Sequence, residues 1–246
     1  MSSARSSTWT ASDNFERHLV GNPYPGRGIV LGRSTKNSWI QIYWIMGRSE
    51  NSRNRVLVEE SGSLRTEAAD PEKLDDPSLV IYTAMLRVQE QFIVTNGAQT
   101  DALFACLMDD GEFVDTLLPW SHEPDAPNFT PRISGCTDFA EKRNWLSIIK
   151  ASSPDGRASE HQFFHYGDIP EGFGRAITTY QGDGKPLPPF AGTPLLMPLE
   201  GDGEAIAQTY WNALNRDNRI ALAVRTIEVD GSASVQVINR FKKTSS

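Results

Sequence analysis

The sequence of 246 residues contains little cysteine and no long apolar run. Its two cysteines, Cys106 and Cys136, are too few for a disulfide framework and cannot alone complete a closed zinc site. No run reaches the roughly 18 apolar residues of a membrane-spanning helix. The first twenty residues also lack the apolar segment of a secretory signal. We therefore expect a cytoplasmic, reduced protein with no membrane partner.

Positive charge is also scarce, because 24 Lys and Arg residues stand against 31 Asp and Glu residues and give a formal net charge of −7. Proteins that coat nucleic acid normally present a strongly basic face, so we expect no nucleic-acid partner. A small anionic ligand is compatible with this balance, since a few local arginines can hold one phosphate. There is no HExxH motif, and the pair His161 and His165 brackets two phenylalanines that favour a strand, so we predict no metal site.

Strand-like segments make up most of the chain. Short runs of β-branched, aromatic and apolar residues bounded by turn residues predict strands at residues 28–32, 39–46, 91–95, 145–151, 162–166, 220–227 and 235–239. Residues 79–86 fit either a strand or a buried helix. Helical spacing predicts helices over 100–109 and 203–214, with Thr100 or Asp101 placed to cap the first. Runs of strands with two inserted helices predict an α+β fold with antiparallel sheets.

The chain divides most simply into an arm and one domain. Residues 1–24 are rich in Ser and Thr and end in a turn containing Pro and Gly, which predicts a partly ordered N-terminal arm. No low-complexity linker or internal repeat follows. We therefore expect residues 25–246 to form a single domain.

Three turn-like segments hold most of the polar residues that could converge on a ligand. Residues 48–55 contain three arginines and two asparagines, and guanidinium groups bind phosphate in a bidentate manner. Residues 95–101 join a strand to a helix, where backbone N–H groups favour an anion. Residues 123–135 carry three prolines that could hold polar side chains rigidly. Each segment taken alone also has a structural explanation: a solvated loop, a turn with a helix cap, and a crossover connection, respectively.

Taken together and in this order, these segments resemble the archaeal-type IMP cyclohydrolase family. The resembling stretches are residues 27–33, the arginine segment ending at Asn54 and Arg55, Tyr82 after Asp76 and Pro77, residues 94–101, and residues 128–133. They lie between about residue 24 and residue 135, and the resemblance continues weakly from Tyr180 to Arg225. Residues 123–135 and 182–190 look more like the bacterial IMP cyclohydrolase-like branch.

The resemblance implies an N-terminal-nucleophile-hydrolase-like fold, a four-layer αββα sandwich with two stacked antiparallel sheets between helical layers. In the hydrolases of that fold, a Ser, Thr or Cys freed at the start of the first strand attacks an amide. Here the first strand is predicted to begin near Arg27 and Gly28, and none of those residue types stands there. The resemblance therefore implies the fold without its N-terminal nucleophile.

The family reaction closes the purine ring. The carboxamide nitrogen of 5-formamidoimidazole-4-carboxamide ribotide attacks the formyl carbon of the same molecule, and loss of water gives IMP. Because both reacting groups belong to one molecule, the enzyme has to orient them, assist deprotonation and stabilise oxyanion character. The reaction needs no metal or redox cofactor, so the resemblance implies no cofactor and a small purine ribotide as the partner.

Particular residues receive roles by resemblance. Arg55 would stabilise developing negative charge, Tyr82 would donate to the formyl oxygen or relay a proton, and Glu123 would act on the carboxamide or the leaving water. The spacing from Pro77 to Tyr82 is one residue longer than in the archaeal proteins, and a shifted register would turn Tyr82 to the other face of its strand. The candidate substrate contacts, at the 5′-phosphate, ribose or base-like head, are Arg33, Arg48, Asn54, Asn96, Asp101, Asn128 and Arg132.

Two other functions stay open at this point. One is an amidohydrolase acting on a small amide, against which the missing nucleophile counts. The other is a non-catalytic protein of the same fold that binds a purine nucleotide, because arginines that hold phosphate serve binding and catalysis alike. The family forms homo-oligomers, so the resemblance also implies a homo-oligomer.

Overall fold

The computed structural model describes residues 2–74 and 76–243. Its strands are, in chain order, β1 (Gly28–Arg33), β2 (Trp39–Met46), β3 (Val56–Glu60), β4 (Ser63–Glu67), β5 (Thr83–Val88), β6 (Gln91–Thr95), β7 (Arg132–Asp138), β8 (Arg143–Ala151), β9 (Ser159–Tyr166), β10 (Phe173–Thr178), β11 (Leu195–Pro198), β12 (Arg219–Ile227) and β13 (Ala233–Asn239). Its α-helices are α1 (Ser2–Phe15), α2 (Glu50–Arg53), α3 (Gln99–Met108), α4 (Phe113–Leu117) and α5 (Gly203–Ala213). A π-helical turn, Glu16–Val20, follows α1, and a 3-10 turn spans Pro71–Lys73. Within the described ranges, no helix is long and apolar enough to cross a membrane.

The strands form two antiparallel sheets. The first sheet has six strands in the order β11-β10-β1-β2-β12-β13, and the second has seven in the order β3-β4-β5-β6-β7-β8-β9. Neighbours in the second sheet are consecutive in sequence, so a meander builds it. The first sheet instead joins strands from both halves of the chain, which places the start of β1 beside the end of β10.

Side-chain alternation along β2 shows how the layers form. Ile42 and Trp44 belong to the apolar core on the helical side of the first sheet, whereas Tyr43 and Ile45 belong to the core between the sheets. All eight residues of β2 are buried. The strand is apolar along its length except at Gln41 because both of its faces are covered.

Helices cover the outer faces of both sheets. Phe15 at the end of α1 meets Tyr210 of α5 edge to face, with ring centroids 5.2 Å apart, over the first sheet. On the second sheet, Leu103 of α3 and Leu117 of α4 are fully buried in a separate apolar cluster. The result is the predicted α+β sandwich, with two antiparallel sheets between helical layers.

The N-terminal arm is helical where the sequence composition indicates only partial order. Ala11, Phe15 and Leu19 recur every four residues and turn one face toward the first sheet, where Ala11 and Leu19 are buried. The Asn14 side chain donates a hydrogen bond to the carbonyl of Leu196 on β11, at 2.9 Å. Packing against the sheet thus organises a segment whose Ser and Thr content alone favours a loop.

The first residues of α3 correct the capping prediction. The N-cap is Ala98, which makes no side-chain capping bond. Thr100 lies inside the helix, where its hydroxyl contacts the Thr95 hydroxyl at 2.5 Å and donates to the Gly97 carbonyl at 3.1 Å. Because the helix begins before Thr100 and Asp101, neither residue is placed to cap it.

Two glycines flank Arg27 where β1 begins. Gly26 has a φ of 74°, in the left-handed region that favours glycine. A Cβ at Gly28 would lie 1.9 Å from Cζ2 of the Trp44 indole, so only glycine allows the indole to lie against this strand. The backbone around Arg27 is therefore fixed by its neighbours on both sides.

Candidate active site

A cavity of about 270 Å³ opens at the end of the sandwich where β1 begins and β2 ends. Its walls come from segments far apart in the chain, and they carry three guanidinium groups and two carboxylates. The lining residues are Tyr24, Gly26, Arg27, Met46, Arg48, Ser49, Ser52, Arg55, Leu79, Val80, Glu123, Asp125, Asn128, Thr130, Thr179, Tyr180 and Leu187. This arrangement favours an anionic ligand with further polar groups.

A buried ion pair forms one wall of the cavity. Arg27 Nη2 donates to Glu123 Oε2 at 2.8 Å, and Arg27 Nη1 donates to the Asn96 carbonyl at 3.0 Å. Burial acts to lower the pKa of Arg27, but the Glu123 carboxylate together with Tyr82 and Tyr43 outweighs it, and the pKa rises. Burial raises the pKa of Glu123, and the attraction of Arg27 opposes this only in part. Glu123 is therefore a carboxyl group suited to exchange a proton.

Arg55 approaches the cavity from the segment after β2. The short helix α2 is capped by Ser49, whose side chain accepts from the Ser52 backbone N–H. Arg55 Nε donates to the Ser52 carbonyl at 2.8 Å, and Nη2 donates to the Met46 carbonyl at 3.3 Å. These bonds come from two of the three guanidinium nitrogens and fix the plane of the group, and the residue as a whole is 4% exposed.

Arg48 lies at the outer part of the cavity with two tyrosines. Its guanidinium carbon is 4.5 Å from the centroid of the Tyr24 ring, and its Nη1 pairs with Asp183. Tyr24 in turn stacks on Tyr180, with centroids 6.0 Å apart and an interplanar angle of 21°. Arg48 is thus a partly exposed cation on an aromatic wall.

Two tyrosine hydroxyls meet beneath the cavity. The Tyr43 and Tyr82 hydroxyl oxygens are 2.6 Å apart and both side chains are buried. Burial raises the pKa of Tyr43, while the charges of Arg27 and Arg55 act to lower it. Tyr82 therefore faces the inter-sheet core, close to two of the cavity's cations, although it does not line the cavity itself.

The loop that carries Glu123 closes on itself. The Glu123 N–H donates to the Thr130 carbonyl at 2.9 Å, and Asp125 accepts from both the N–H and the hydroxyl of Thr130. Asn128 lines the cavity, and its Oδ1 accepts from the Leu187 N–H at 3.2 Å. These bonds, rather than proline content alone, hold the loop against the sheets.

Two predicted substrate contacts lie away from the cavity. Arg33 is at the opposite end of β1 from Arg27, where it pairs with Asp168 at 3.2 Å and with Glu171 at 3.3 Å. Asp101 is exposed on α3. The structure does not bring either residue to the cavity.

Two asparagines of the predicted set act on the backbone instead. Asn54 donates to the Asp70 carbonyl at 2.8 Å and accepts from the Asp70 N–H at 2.7 Å. Asn96 is fully buried, donates to the Pro131 carbonyl and accepts from the Ile133 N–H, both at 2.9 Å. Because these amide groups are occupied by backbone partners, they brace the walls of the cavity and do not line it.

Arg132 lies behind Glu123. Its Nε donates to the Ser121 carbonyl at 2.9 Å, its Nη1 donates to Gln99 at 3.1 Å, and its guanidinium lies 5.1 Å from the Trp120 ring centroid. Burial lowers the pKa of Arg132, and the charge of Glu123 opposes that shift. Arg132 therefore acts on the carboxylate electrostatically and does not line the cavity.

Sequence reasoning missed Arg27 and three of the four tyrosines at or near the cavity, Tyr24, Tyr43 and Tyr180. Arg27 falls within a resembling stretch, but a lone arginine before a strand carries no indication that it will meet Glu123. Tyr24 falls in a predicted turn and Tyr43 in a predicted strand, and the sequence does not show that their side chains lie close to Tyr180 and Tyr82. Among the described residues, no group of three or more His, Cys, Asp and Glu side chains is placed to hold a metal ion.

Comparison with known proteins identifies the family. A family model described as IMP cyclohydrolase-like protein matches residues 24–231. The chain belongs to this family. The IMP cyclohydrolase of Methanopyrus kandleri is 30% identical over 162 residues, which cover 64% of this chain and 75% of that protein. The family match begins at Tyr24 in the cavity wall, so α1 lies outside it.

Proposed function

We propose that this chain is an IMP cyclohydrolase, which closes 5-formamidoimidazole-4-carboxamide ribotide to IMP with loss of water. The observation that carries the proposal is the buried pair of Arg27 and Glu123 on a cavity that Arg48 and Arg55 also line. Membership of the IMP cyclohydrolase-like family and the related enzyme of M. kandleri support the same reaction.

The cations of the cavity suit the phosphate of a ribotide. Arg48 and Arg55 lie on the same segment as the hydroxyls of Ser49 and Ser52, and all four residues line the cavity. Guanidinium groups bind phosphate oxygens through charge-assisted hydrogen bonds, which hydroxyl donors can supplement. We assign the 5′-phosphate to this segment, with Asn128 as a contact on the facing loop.

Glu123 suits the proton transfer that ring closure needs. As the N–C bond forms, the carboxamide nitrogen loses a proton and the formyl oxygen gains one. That oxygen then departs as water with a second proton, while the formamide nitrogen loses its own proton and the C=N bond forms. A carboxyl group whose pKa is raised by burial is a stronger base than an exposed carboxylate, so it can accept such a proton and return it. Arg27 keeps this carboxyl group oriented, and Arg55 would stabilise negative charge that develops on the formyl oxygen.

Tyr82 acts in this proposal through its hydroxyl partner. Its contact with Tyr43 lies near the charges of Arg27 and Arg55, so the pair would fix the orientation of the guanidiniums or relay a proton. Tyr82 is thus assigned as a positioning residue. The residue before β1 is Arg27 and not a Ser, Thr or Cys, which disfavours an amidohydrolase that uses a nucleophile there.

The deciding test is ring closure by the purified chain, followed as ultraviolet absorbance of IMP. We expect turnover far above the uncatalysed rate, and a loss of at least about 2 kcal/mol in kcat/KM for Arg55→Ala. Binding of IMP without turnover by the folded chain would contradict the enzyme and favour a nucleotide-binding protein. Light scattering on the same sample tests the predicted homo-oligomer.

A further inference from the structure

A second cavity, of about 230 Å³, lies toward the other end of the layer between the sheets. In the first sheet, Gln41 of β2 pairs with Arg225 of β12 on one side and with Leu31 of β1 on the other. Leu31 lies several residues along the chain from Arg27, so this cavity is away from the candidate active site. Arg87 of β5 and the turn between β3 and β4 complete the walls. Among the described residues that line this cavity, two carry a guanidinium group and none carries a carboxylate.

Arg225 is a buried cation held only by neutral groups. It is 1% exposed. Its Nη1 donates to Gln41 Oε1 and to the Leu86 carbonyl, both at 3.1 Å, and more weakly to the Ile93 carbonyl at 3.4 Å. Its Nη2 donates to the Gly62 carbonyl at 3.0 Å. No carboxylate within the described ranges forms an ion pair with it, and burial lowers its pKa to about 9, helped by the charge of Arg87.

The other charges at this cavity do not compensate Arg225. Arg87 pairs with Glu90 at 3.0 Å and donates to the Gly231 carbonyl at 3.1 Å, so Glu90 is engaged by Arg87. At the rim, Glu59 Oε1 accepts from the Gly62 N–H at 2.7 Å, but no ion pair joins Glu59 to Arg225 within the described ranges. The lining residues themselves carry two guanidinium groups, and only that of Arg87 has a carboxylate partner. The rim of the cavity is open, because a Cβ added to Gly62 would meet no atom within 4 Å.

We propose that this second cavity binds a small oxyanion of phosphate size beside Arg225, at a site separate from the candidate active site. A buried cation without a counter-ion is unfavourable, and an oxyanion would provide the missing charge. A guanidinium carries five donors, and the bonds of Arg225 to described residues come from Nη1 and Nη2 only, which leaves Nε available. Ser61 and Ser63 at the rim add hydroxyl donors. Inorganic phosphate and a sugar phosphate monoester share this chemistry.

The test follows assigned backbone amide resonances of the full chain during titration with inorganic phosphate and, separately, with ribose 5-phosphate. Gly62 and Ala233 report on the second cavity, while Ser52 and Thr130 report on the first. We expect saturable shifts at Gly62 and Ala233 with at least one of the two ligands, and none with an equal concentration of chloride. The ligand that produces them identifies the source of the oxyanion.

A matched pair of variants separates the site from general charge effects. Ala233 shares the inward face of β13 with Val235, which pairs with Arg225, whereas Ser234 between them points to the other face. Ala233→Glu places a carboxylate at the rim and should weaken binding at the second cavity at least tenfold. Ser234→Glu adds the same charge on the opposite face and should change it less than threefold.

Three results would overturn the proposal. These are no saturable shift at Gly62 with either ligand, an Ala233→Glu variant that binds as tightly as the unmodified chain, or equal weakening by Ser234→Glu. Arg87→Ala provides a second check, because its side chain is partly exposed and its loss should leave the chain folded. It should also weaken binding several-fold, and unchanged affinity would remove Arg87 from the site.

Discussion

Each end of the layer between the sheets holds a buried arginine, and the two differ in what surrounds the charge. Arg27 meets a carboxylate, Glu123, at 2.8 Å. Arg225 meets carbonyl groups and the amide of Gln41. A carboxylate partner can itself take up a proton, whereas carbonyls cannot. Burial of an arginine therefore does not by itself indicate a catalytic site. The titratable carboxylate beside Arg27 does indicate one.

The largest expected effect comes from removing the titratable carboxyl group. Glu123→Gln keeps the shape of the side chain but cannot exchange the proton, so kcat should fall by about 10²- to 10⁴-fold. Steady-state assay of IMP formation measures the loss. Glu204→Gln, on the exposed first turn of α5, makes the same chemical change as a control and should keep full activity. Equal activity of the two variants would remove Glu123 from the mechanism.

Removing each arginine in turn tests the comparison through stability. Arg27→Met leaves a buried carboxylate unpaired and should reduce the free energy of unfolding by about 3–5 kcal/mol at neutral pH. Arg225→Met leaves carbonyls without donors and should reduce it by about 3 kcal/mol. Urea denaturation of both variants measures these losses.

The pH dependence of the two losses should differ. Burial already raises the pKa of Glu123, and removing Arg27 raises it further because the nearest opposing charge is gone. The folded variant then holds a proton that the unfolded chain releases above the ordinary pKa of 4.5, so its stability falls as the pH rises from that value to the folded pKa. The Arg225→Met loss should stay constant over the same range. Parallel pH profiles would contradict the distinction between the two ends.

A smaller effect is expected at the hydroxyl pair. Tyr82→Phe removes the partner of the Tyr43 hydroxyl and should lower kcat about tenfold with little change in KM, because one hydrogen bond that orients the site is lost. Tyr166→Phe, on the edge strand β9, is the control. The pH dependence of kcat should be measured as well, because a change in side-chain packing alone would not alter it. An unchanged profile and kcat would leave Tyr82 with a structural role only.

The smallest effect separates two arginines of the predicted phosphate set. Arg48→Ala should raise KM about tenfold with kcat nearly unchanged, since its contact with the ligand is charge-assisted but partly exposed. Arg33→Ala, at the far end of β1, should leave KM unchanged. If Arg33→Ala raised KM as much as Arg48→Ala, Arg33 would have to be counted among the residues that contact the substrate.

The sequence predicted most of the fold because the strands carry local information. The run from Gln91 to Thr95 and the hairpin after Asp230 and Gly231 are strands with the expected bounds or partner. Helix α1 was missed because its apolar spacing is sparse and its stability comes from packing on the first sheet. Local sequence pattern is thus enough to predict an element where turn residues and periodicity agree. It is not enough where a tertiary contact determines whether the element forms.

The candidate site was predictable only in part. Segments containing Arg48, Arg55 and Glu123 were identified from motif order, and the structure places all three on one cavity. Asn54 and Asn96 belong to the same segments, but their amides bind backbone groups, which depends on loop conformation that spacing does not encode. Arg27 depends on the approach of β1 to the loop after α4, a long-range contact.

The glycines beside Arg27 also limit which residue types the start of β1 can accept. A side chain at Gly28 would collide with the Trp44 indole, and one at Gly26 would lie 2.1 Å from the Thr179 hydroxyl. A serine, threonine or cysteine therefore cannot arise at either position by a single tolerated substitution. Only position 27 could accept one, at the expense of the cation that pairs with Glu123. Packing at the start of β1 thus excludes the nucleophilic residue types on both sides of Arg27 and leaves the position between them to the cation that pairs with Glu123.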